Sequence, residues 1–225
     1  MAYDRLDRRR VHVVHHGVDA DTFSPPARPG SPAIPPCFLC LGNTRPCKNI
    51  ATAVRALALC ARDRPEAQLV VVGRGDSTRS LRQLARAANA EERVRFVGSV
   101  SQNRLVKLLH GATALLFPSF VEGFGLPVLE AMSAGCAVIA SDCPSLVEIA
   151  RDAAMFCDPR SPEQFAAAML TLLRDPAQRV ALENRGRQRA ALFTWEQCAA
   201  GTLAVYTSLL ESVRPARTVS LASTE

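Results

Sequence analysis

Two carboxylates, Glu122 and Glu130, are the side chains best placed to do chemistry in this sequence, with Gly123-Phe124-Gly125-Leu126-Pro127-Val128-Leu129 between them. The apolar run Ala114 to Phe117 ends at Pro118 and Ser119, two glycines bracket Phe124, and Pro127 opens a helical pattern. Proline is favoured where a helix begins, because its missing N–H would have had no partner there. Leu126, Leu129 and Met132 then recur on one helical face. The pattern is strand, glycine-bearing loop, helix, with Glu122 in the loop and Glu130 about one turn into the helix. Unpartnered N–H groups and the positive end of the helix dipole gather at such a start. The constellation offers donors to a phosphate and acceptors to hydroxyls, which suits a phosphorylated sugar.

A second candidate lies upstream, in Leu41-Gly42-Asn43-Thr44-Arg45-Pro46-Cys47-Lys48-Asn49-Ile50. Lys48 sits where a helix begins. A cation there opposes the helix dipole unless an anion shares the site, so Lys48 marks a phosphate position. The plainer alternative is a solvated lysine beside an asparagine cap. Gly73-Arg74-Gly75-Asp76-Ser77 is also glycine-rich but lacks the complete G-x-G-x-x-G spacing of a dinucleotide loop.

Other chemistry-bearing residues read as structural. Cys37 and Cys40 form a C-x2-C inside an apolar run, and Cys60, Cys136 and Cys157 also have apolar neighbours. No second pair completes a zinc site, so these are core thiols and no metal is expected. His15 and His16 are adjacent in a short strand-like stretch, Val11–His16, and would point to opposite faces. Asp19-Ala20-Asp21 lies beside prolines and reads as turn chemistry.

The elements that must position these residues follow from periodicity. Strands are expected near 37–41, 68–72, 94–97, 113–117, 136–140 and 154–157, with helices between them. Apolar helical faces are marked by Ile50, Val54, Leu57, Ala58 and Ala61, then by Leu81, Leu84, Ala85 and Ala88, then by Leu105, Leu108 and Leu109. Such alternation predicts an α/β fold, a Rossmann-like doubly wound parallel sheet of about six strands. A helical C-terminal extension follows, marked by Phe165, Ala168, Met169 and Leu172 and then by Leu203, Tyr206 and Leu210. The expected organisation is an N-terminal arm, an orphan strand with no ladder partner and a proline-rich linker over 1–36, one domain over 37–212, and a fraying tail over 213–225. Residues 24–36 carry six prolines with Gly30 and Ser31, a linker composition.

Of 225 residues, 48% are apolar, enough for a sizeable core, yet no apolar run reaches membrane-span length. The charged start, Asp4 to Arg10, has no signal-peptide character, which predicts a cytoplasmic protein. The net charge of +6 permits anionic partners, but with only 5% aromatics and no recognition motif nucleic acid is not expected.

The stretch Glu122-Gly123-Phe124-Gly125-Leu126-Pro127-Val128-Leu129-Glu130-Ala131-Met132, followed by Gly135 and the apolar run Ala137 to Ala140, resembles the E-x7-E motif of a known enzyme family. These are the retaining, nucleotide-sugar-dependent glycosyltransferases of GT-B fold, of the family-4 type. Gly42 followed by Lys48-Asn49 resembles the same family. The resemblance covers roughly residues 11–210, one half of a GT-B fold, the donor-binding C-terminal half. It implies a hexosyltransferase that uses a nucleotide sugar as substrate, no further cofactor and no metal, and a glycan or lipid-linked acceptor. It implies that Lys48 grips the donor diphosphate and that Glu130 takes the ribose hydroxyls. Glu122, Gly123, Phe124, Gly125 and Leu126 would surround the sugar and diphosphate, and Val97 would lie by the base. Many members have arginine directly after the glycine; here Asn43 stands there, with Arg45 two positions on as the substitute. Glu122 and Lys48 are the residues to which catalysis would be assigned. A separate N-terminal half of the fold, and peripheral contact with the inner membrane face, are further partners under this reading. The alternative is a non-catalytic module that binds nucleotide sugars.

Overall fold

The computed structural model describes residues 7, 10–24, 35–75 and 77–213. The chain divides into two compact units, Val18–Leu192 and a second formed by Met1–Gly17 with Phe193–Glu225. This differs from the expected domain at 37–212. The segment after residue 17 belongs to the larger unit, and the last helix does not.

The larger unit is built on β1 (Cys37–Leu41), β2 (Gln68–Val72), β3 (Val94–Gly98), β4 (Ala114–Phe117), β5 (Val138–Ser141) and β6 (Met155–Cys157). All six expected strands are present, each within two residues of its expected bounds. Its helices are α1 (Ala20–Phe23), α2 (Ile50–Cys60), α3 (Thr78–Ala87), α4 (Gln102–Gly111), α5 (Leu126–Ser133), α6 (Pro144–Ala150), α7 (Pro162–Arg174) and α8 (Pro176–Ala190). The strands pair in parallel in the order β3-β2-β1-β4-β5-β6. Parallel strands covered on both faces read as continuous apolar runs, and the Cys-Phe-Leu-Cys-Leu of β1 and the Ala-Leu-Leu-Phe of β4 do so.

Alternation sorts the strand side chains between two layers. Phe38, Leu69, Val71, Leu116 and Ile139 pack with Ile50 and Leu57 of α2, Leu81 of α3, and Phe165, Met169 and Leu172 of α7. Fully burying one such side chain is worth roughly 1.5–3 kcal/mol. The alternate residues Leu39, Val70, Leu115 and Val138 are also buried, as are Leu109 of α4 and Val128, Leu129 and Met132 of α5. Of the predicted face of α5, Leu129 and Met132 are buried and Leu126 is half-buried. Cys40 and Cys136 are buried thiols pushed up to about 12 by desolvation, and Cys60 and Cys157 are pushed up to about 11, as expected of core cysteines.

The chain order fixes where a ligand can enter. From β1 the chain winds outward through β2 to β3, then returns to lay β4 on the other side of β1. Neighbouring loops diverge at such a switch point and leave a crevice at the carboxyl ends of the strands. Here that crevice lies between the loops after β1 and β4.

In the smaller unit, residues 11–16, expected as a strand without a partner, join no sheet. A strand needs a ladder partner, and this segment instead makes side-chain contacts with the C-terminal region. The His15 ring meets Phe193 edge-on at 5.7 Å, His16 lies 6.0 Å from Trp195, and Val14 packs against Gly201. The two histidines are packing groups. Trp195 and Gly201 belong to α9 (Trp195–Val213), on which Leu203, Tyr206 and Leu210 are exposed. Asp19-Ala20-Asp21 is indeed local cap chemistry: the Asp19 carboxylate caps α1, accepting from the backbone N–H and hydroxyl of Thr22 at 3.0 and 2.6 Å. The expected linker falls mostly, and the tail beyond 213 wholly, outside the described residues.

Candidate active site at the β1/β4 switch point

Lys48 ends a single 3-10 turn, Pro46–Lys48, that leads through Asn49 into α2. Its ammonium donates to both carboxylate oxygens of Glu122, at 2.7 and 2.9 Å, across 74 positions of sequence. The side chains of Lys48 and Glu122 are 23% and 9% exposed, so the pair is largely shielded from water. The Lys48 nitrogen also lies 5.6 Å from the centroid of the Phe117 ring at the end of β4. The phosphate-position reading of Lys48 required an anion beside it, and the chain places its own carboxylate there.

Several contacts hold the two loops in this relation. The Phe120 N–H donates to the Cys47 carbonyl at 2.8 Å. The Ser145 hydroxyl, on α6, donates to the Glu122 carbonyl at 2.8 Å, and the Ser141 hydroxyl, at the end of β5, donates to the Ser119 carbonyl at 2.5 Å. Asn49 is buried in the left-handed region at φ 51°, and its amide donates to the carbonyls of Pro118 and Pro159. None of Asn49, Ser141 and Ser145 was singled out as a site residue. Their partners are backbone carbonyls of other loops, which no local sequence pattern marks.

Glycines set the depth of the crevice. Gly42 (φ 147°) leads into the Lys48 loop, and a Cβ there would sit 3.4 Å from the lysine Cγ. At Gly73 (φ 137°) a Cβ would collide with the Gly42 carbonyl oxygen, so this glycine lets the loops after β1 and β2 touch backbone to backbone. Gly73→Ala is therefore expected to cost at least about 2 kcal/mol, a fall in melting temperature of roughly 4–8 °C for a domain of this size. Thermal unfolding followed by circular dichroism checks this; an unchanged midpoint would contradict the close approach.

Glu130 lies on α5, half-buried, and among the described residues its carboxylate has no hydrogen-bond or ion-pair partner. Burial pushes its carboxyl above the ordinary value of 4.5. An unpaired, half-desolvated carboxylate beside a crevice is poised to accept hydrogen bonds from a ligand. Its helix is set by Gly125 (φ 110°), where a Cβ would come within 2.5 Å of Leu146, and by α8, whose Gly186 lets that helix pack closely on Met132.

Among the expected site residues the structure brings Gly42, Lys48, Glu122 and the loop Gly123-Phe124-Gly125 leading to Leu126 to this crevice. Asn43 and Arg45 lie in its β1 loop, where Arg45 donates its N–H to the Asn43 side chain at 3.3 Å. Arg45 is exposed and forms no ion pair with a described residue. Val97 is half-buried near the carboxyl end of β3, separated from β1 by β2.

Comparison with known proteins agrees with this architecture. The family description Glycosyl transferases group 1 matches residues 26–189. The chain is 36% identical over 170 residues to the O-antigen chain mannosyltransferase B of Escherichia coli, covering 75% of this chain and 45% of that protein. Among solved structures it is similar to a sucrose-phosphate synthase from Thermosynechococcus elongatus, with 31% identity and a TM-score of 0.79 over 89% of this chain and 53% of that one. It is also similar to the C-terminal domain of a glycosyl transferase group 1 family protein (LpcC) from Francisella tularensis, with 25% identity and a TM-score of 0.70. That match covers 78% of this chain and 97% of that one. The chain spans about half the length of the curated relatives it matches. With a family match across most of its length and the Rossmann-like half of a GT-B fold, the chain belongs to the group 1 glycosyl transferases.

Proposed function

We propose that the β1/β4 crevice binds the nucleoside diphosphate of a sugar donor, and that this chain supplies the donor-binding half of a hexosyltransferase. The observation that carries the reading is the Lys48–Glu122 pair at the switch point, with the half-buried, unpartnered Glu130 on the adjoining helix. Glu122 satisfies Lys48 with both carboxylate oxygens. A diphosphate brings more negative charge to the same ammonium, and the released carboxylate accepts hydrogen bonds from sugar hydroxyls. Glu130 accepts the two ribose hydroxyls, and Val97 borders the base.

Under this reading the reaction is a transfer at the anomeric carbon of the donor sugar. The bond from the anomeric carbon to the phosphate oxygen breaks, an acceptor oxygen bonds to that carbon and loses its proton, and a nucleoside diphosphate departs. Lys48 and the N-terminal amides of α5 stabilise the charge that grows on the departing diphosphate, in place of a metal ion. Transfer goes to a glycan or lipid-linked hydroxyl with retention of configuration, and an N-terminal half of the fold supplies the acceptor surface. A lipid-linked acceptor would bring the protein to the inner membrane face as a peripheral visitor. No helix among the described residues is long and apolar enough to cross a membrane. The similar proteins named above make different products, an O-antigen chain and sucrose phosphate. That diversity favours a shared donor chemistry over a shared acceptor.

Titration calorimetry with UDP, GDP, ADP and their sugar conjugates, with and without EDTA, tests the proposal. Binding of at least one of them, unchanged by EDTA, is expected. Binding to none, or strict dependence on a divalent ion, would overturn it.

A further inference from the structure

We infer that Asn49, assisted by Thr52, is the positioning residue of this site: it locks three loops together so that Lys48 and Glu122 meet. The inference rests on the proposed donor-binding reading for its functional consequence, but its geometry stands independently. Asn49 is 7% exposed and holds a left-handed conformation (φ 51°, ψ 37°) at the N-cap of α2. An asparagine at that position ordinarily accepts from the first helical turn. This one makes no cap bond to a helix amide; within the first turn its side-chain oxygen meets only the Thr52 hydroxyl. The amide nitrogen instead donates to the Pro118 carbonyl at 2.9 Å, in the loop after β4, and to the Pro159 carbonyl at 2.6 Å, in the loop after β6. The amide oxygen accepts from the Thr52 hydroxyl at 3.0 Å, and that hydroxyl also approaches the Pro159 carbonyl at 3.1 Å.

Both donors and the acceptor of the amide are therefore used, in a buried setting where an unmet partner is costly. The carbonyls it grips belong to prolines, whose ring fixes φ and stiffens each loop at the point of attachment. Lys48 directly precedes Asn49, and Glu122 follows Pro118 by four residues. The clamp, together with the Phe120 N–H bond to the Cys47 carbonyl, thus sets where the lysine stem and the glutamate loop stand, and it alone extends that hold to the loop after β6. It also reaches α7 through the Pro159 loop, so the site is tied to strands β1, β4 and β6 at once.

The test exploits the chain's two lysines, Lys48 and the exposed Lys107. Lysine labelled with carbon-13 and nitrogen-15 gives two side-chain signals, which Lys107→Arg assigns. Asn49→Gly removes the amide but keeps the left-handed backbone, which glycine adopts freely. Asn49→Asp keeps the shape and the Thr52 contact but turns lone pairs toward two carbonyls. In the wild type the Lys48 signal should differ from that of Lys107 and should shift on Glu122→Gln. In Asn49→Gly, with the fold retained by circular dichroism, the Lys48 signal should move toward that of Lys107 and lose its response to Glu122→Gln. Asn49→Asp should show the same loss.

Nucleoside diphosphate affinity, measured on the same proteins, should fall by about tenfold or more, corresponding to about 1.4 kcal/mol. A Lys48 signal in Asn49→Gly that keeps its wild-type position and its response to Glu122→Gln would overturn the inference, whatever happens to stability. If the wild type binds no nucleotide, the donor-binding proposal fails, while the lysine signals still decide the role of Asn49.

Discussion

Replacing Lys48 by alanine is expected to weaken nucleoside diphosphate binding at least about 100-fold, because a charge-assisted hydrogen bond contributes about 1.5–3 kcal/mol and an ammonium on a diphosphate makes more than one. The same change strands the Glu122 carboxylate, which is 9% exposed in the side chain. Breaking a buried pair from one side costs about 3–5 kcal/mol, and the partial exposure of Lys48 lowers that to on the order of 1–3 kcal/mol here. Affinity and stability are separable. The double variant Lys48→Met with Glu122→Gln removes both charges and should recover most of the lost stability without recovering binding. Calorimetry and thermal unfolding on the wild type, the single variants Lys48→Met and Glu122→Gln, and the double variant complete the cycle. If affinity returned together with stability in the double variant, Lys48 would be a structural residue.

The second large effect is expected at Glu130, and it carries a pH signature. Burial holds the folded-state carboxyl above its ordinary value of 4.5. A raised folded pKa means that the native state binds the proton more tightly than the unfolded chain. The favourable contribution of Glu130 to folding is therefore complete below about 4.5 and lost as pH rises through the raised folded value. Glu130→Gln should consequently stabilise the unliganded protein at neutral pH and leave its stability unchanged in acid. Ligand binding runs in the opposite sense, because ribose hydroxyls donate to the ionised carboxylate. Affinity should fall as pH drops through the raised value, and Glu130→Gln should remove that dependence while lowering neutral-pH affinity by about 10–100-fold, one to two charge-assisted hydrogen bonds. A variant that loses melting temperature but keeps wild-type affinity would assign Glu130 to the fold.

Much of this site was legible before the fold because its signals are local. Doubly covered parallel strands leave continuous apolar runs, and those of β1 and β4 lead into the loops that hold Gly42, Lys48 and Glu122. The glycines around Phe124 and the proline opening α5 are demands of one turn, read from one turn. The contact between Lys48 and Glu122 is different, since it depends on β4 returning to the side of β1, and strand order is not written in any window of sequence. Asn49 was visible as a cap residue, but the carbonyls that recruit its amide lie on loops 69 and 110 positions away.

Two features that the local sequence does not announce have equally physical causes. Val11-His12-Val13-Val14 has the composition of a strand, yet strand formation requires a neighbouring edge, and here the segment packs its side chains near α9. Helix α8 is largely polar and buries only Leu182, Gly186 and Ala190, so no apolar period announced it. Its packing works through a glycine against Met132 and through Arg189, which donates to the Ile149 and Glu148 carbonyls at the end of α6.

The most direct test of the central claim, that a donor diphosphate takes Lys48 from Glu122, is a titration of the lysine-labelled wild-type protein with the nucleoside diphosphate that binds best. The Lys48 signal should shift progressively and saturate at the calorimetric affinity, Lys107 should stay fixed, and at saturation the Lys48 signal should no longer respond to Glu122→Gln. A Lys48 signal unmoved at saturating nucleotide would contradict the account.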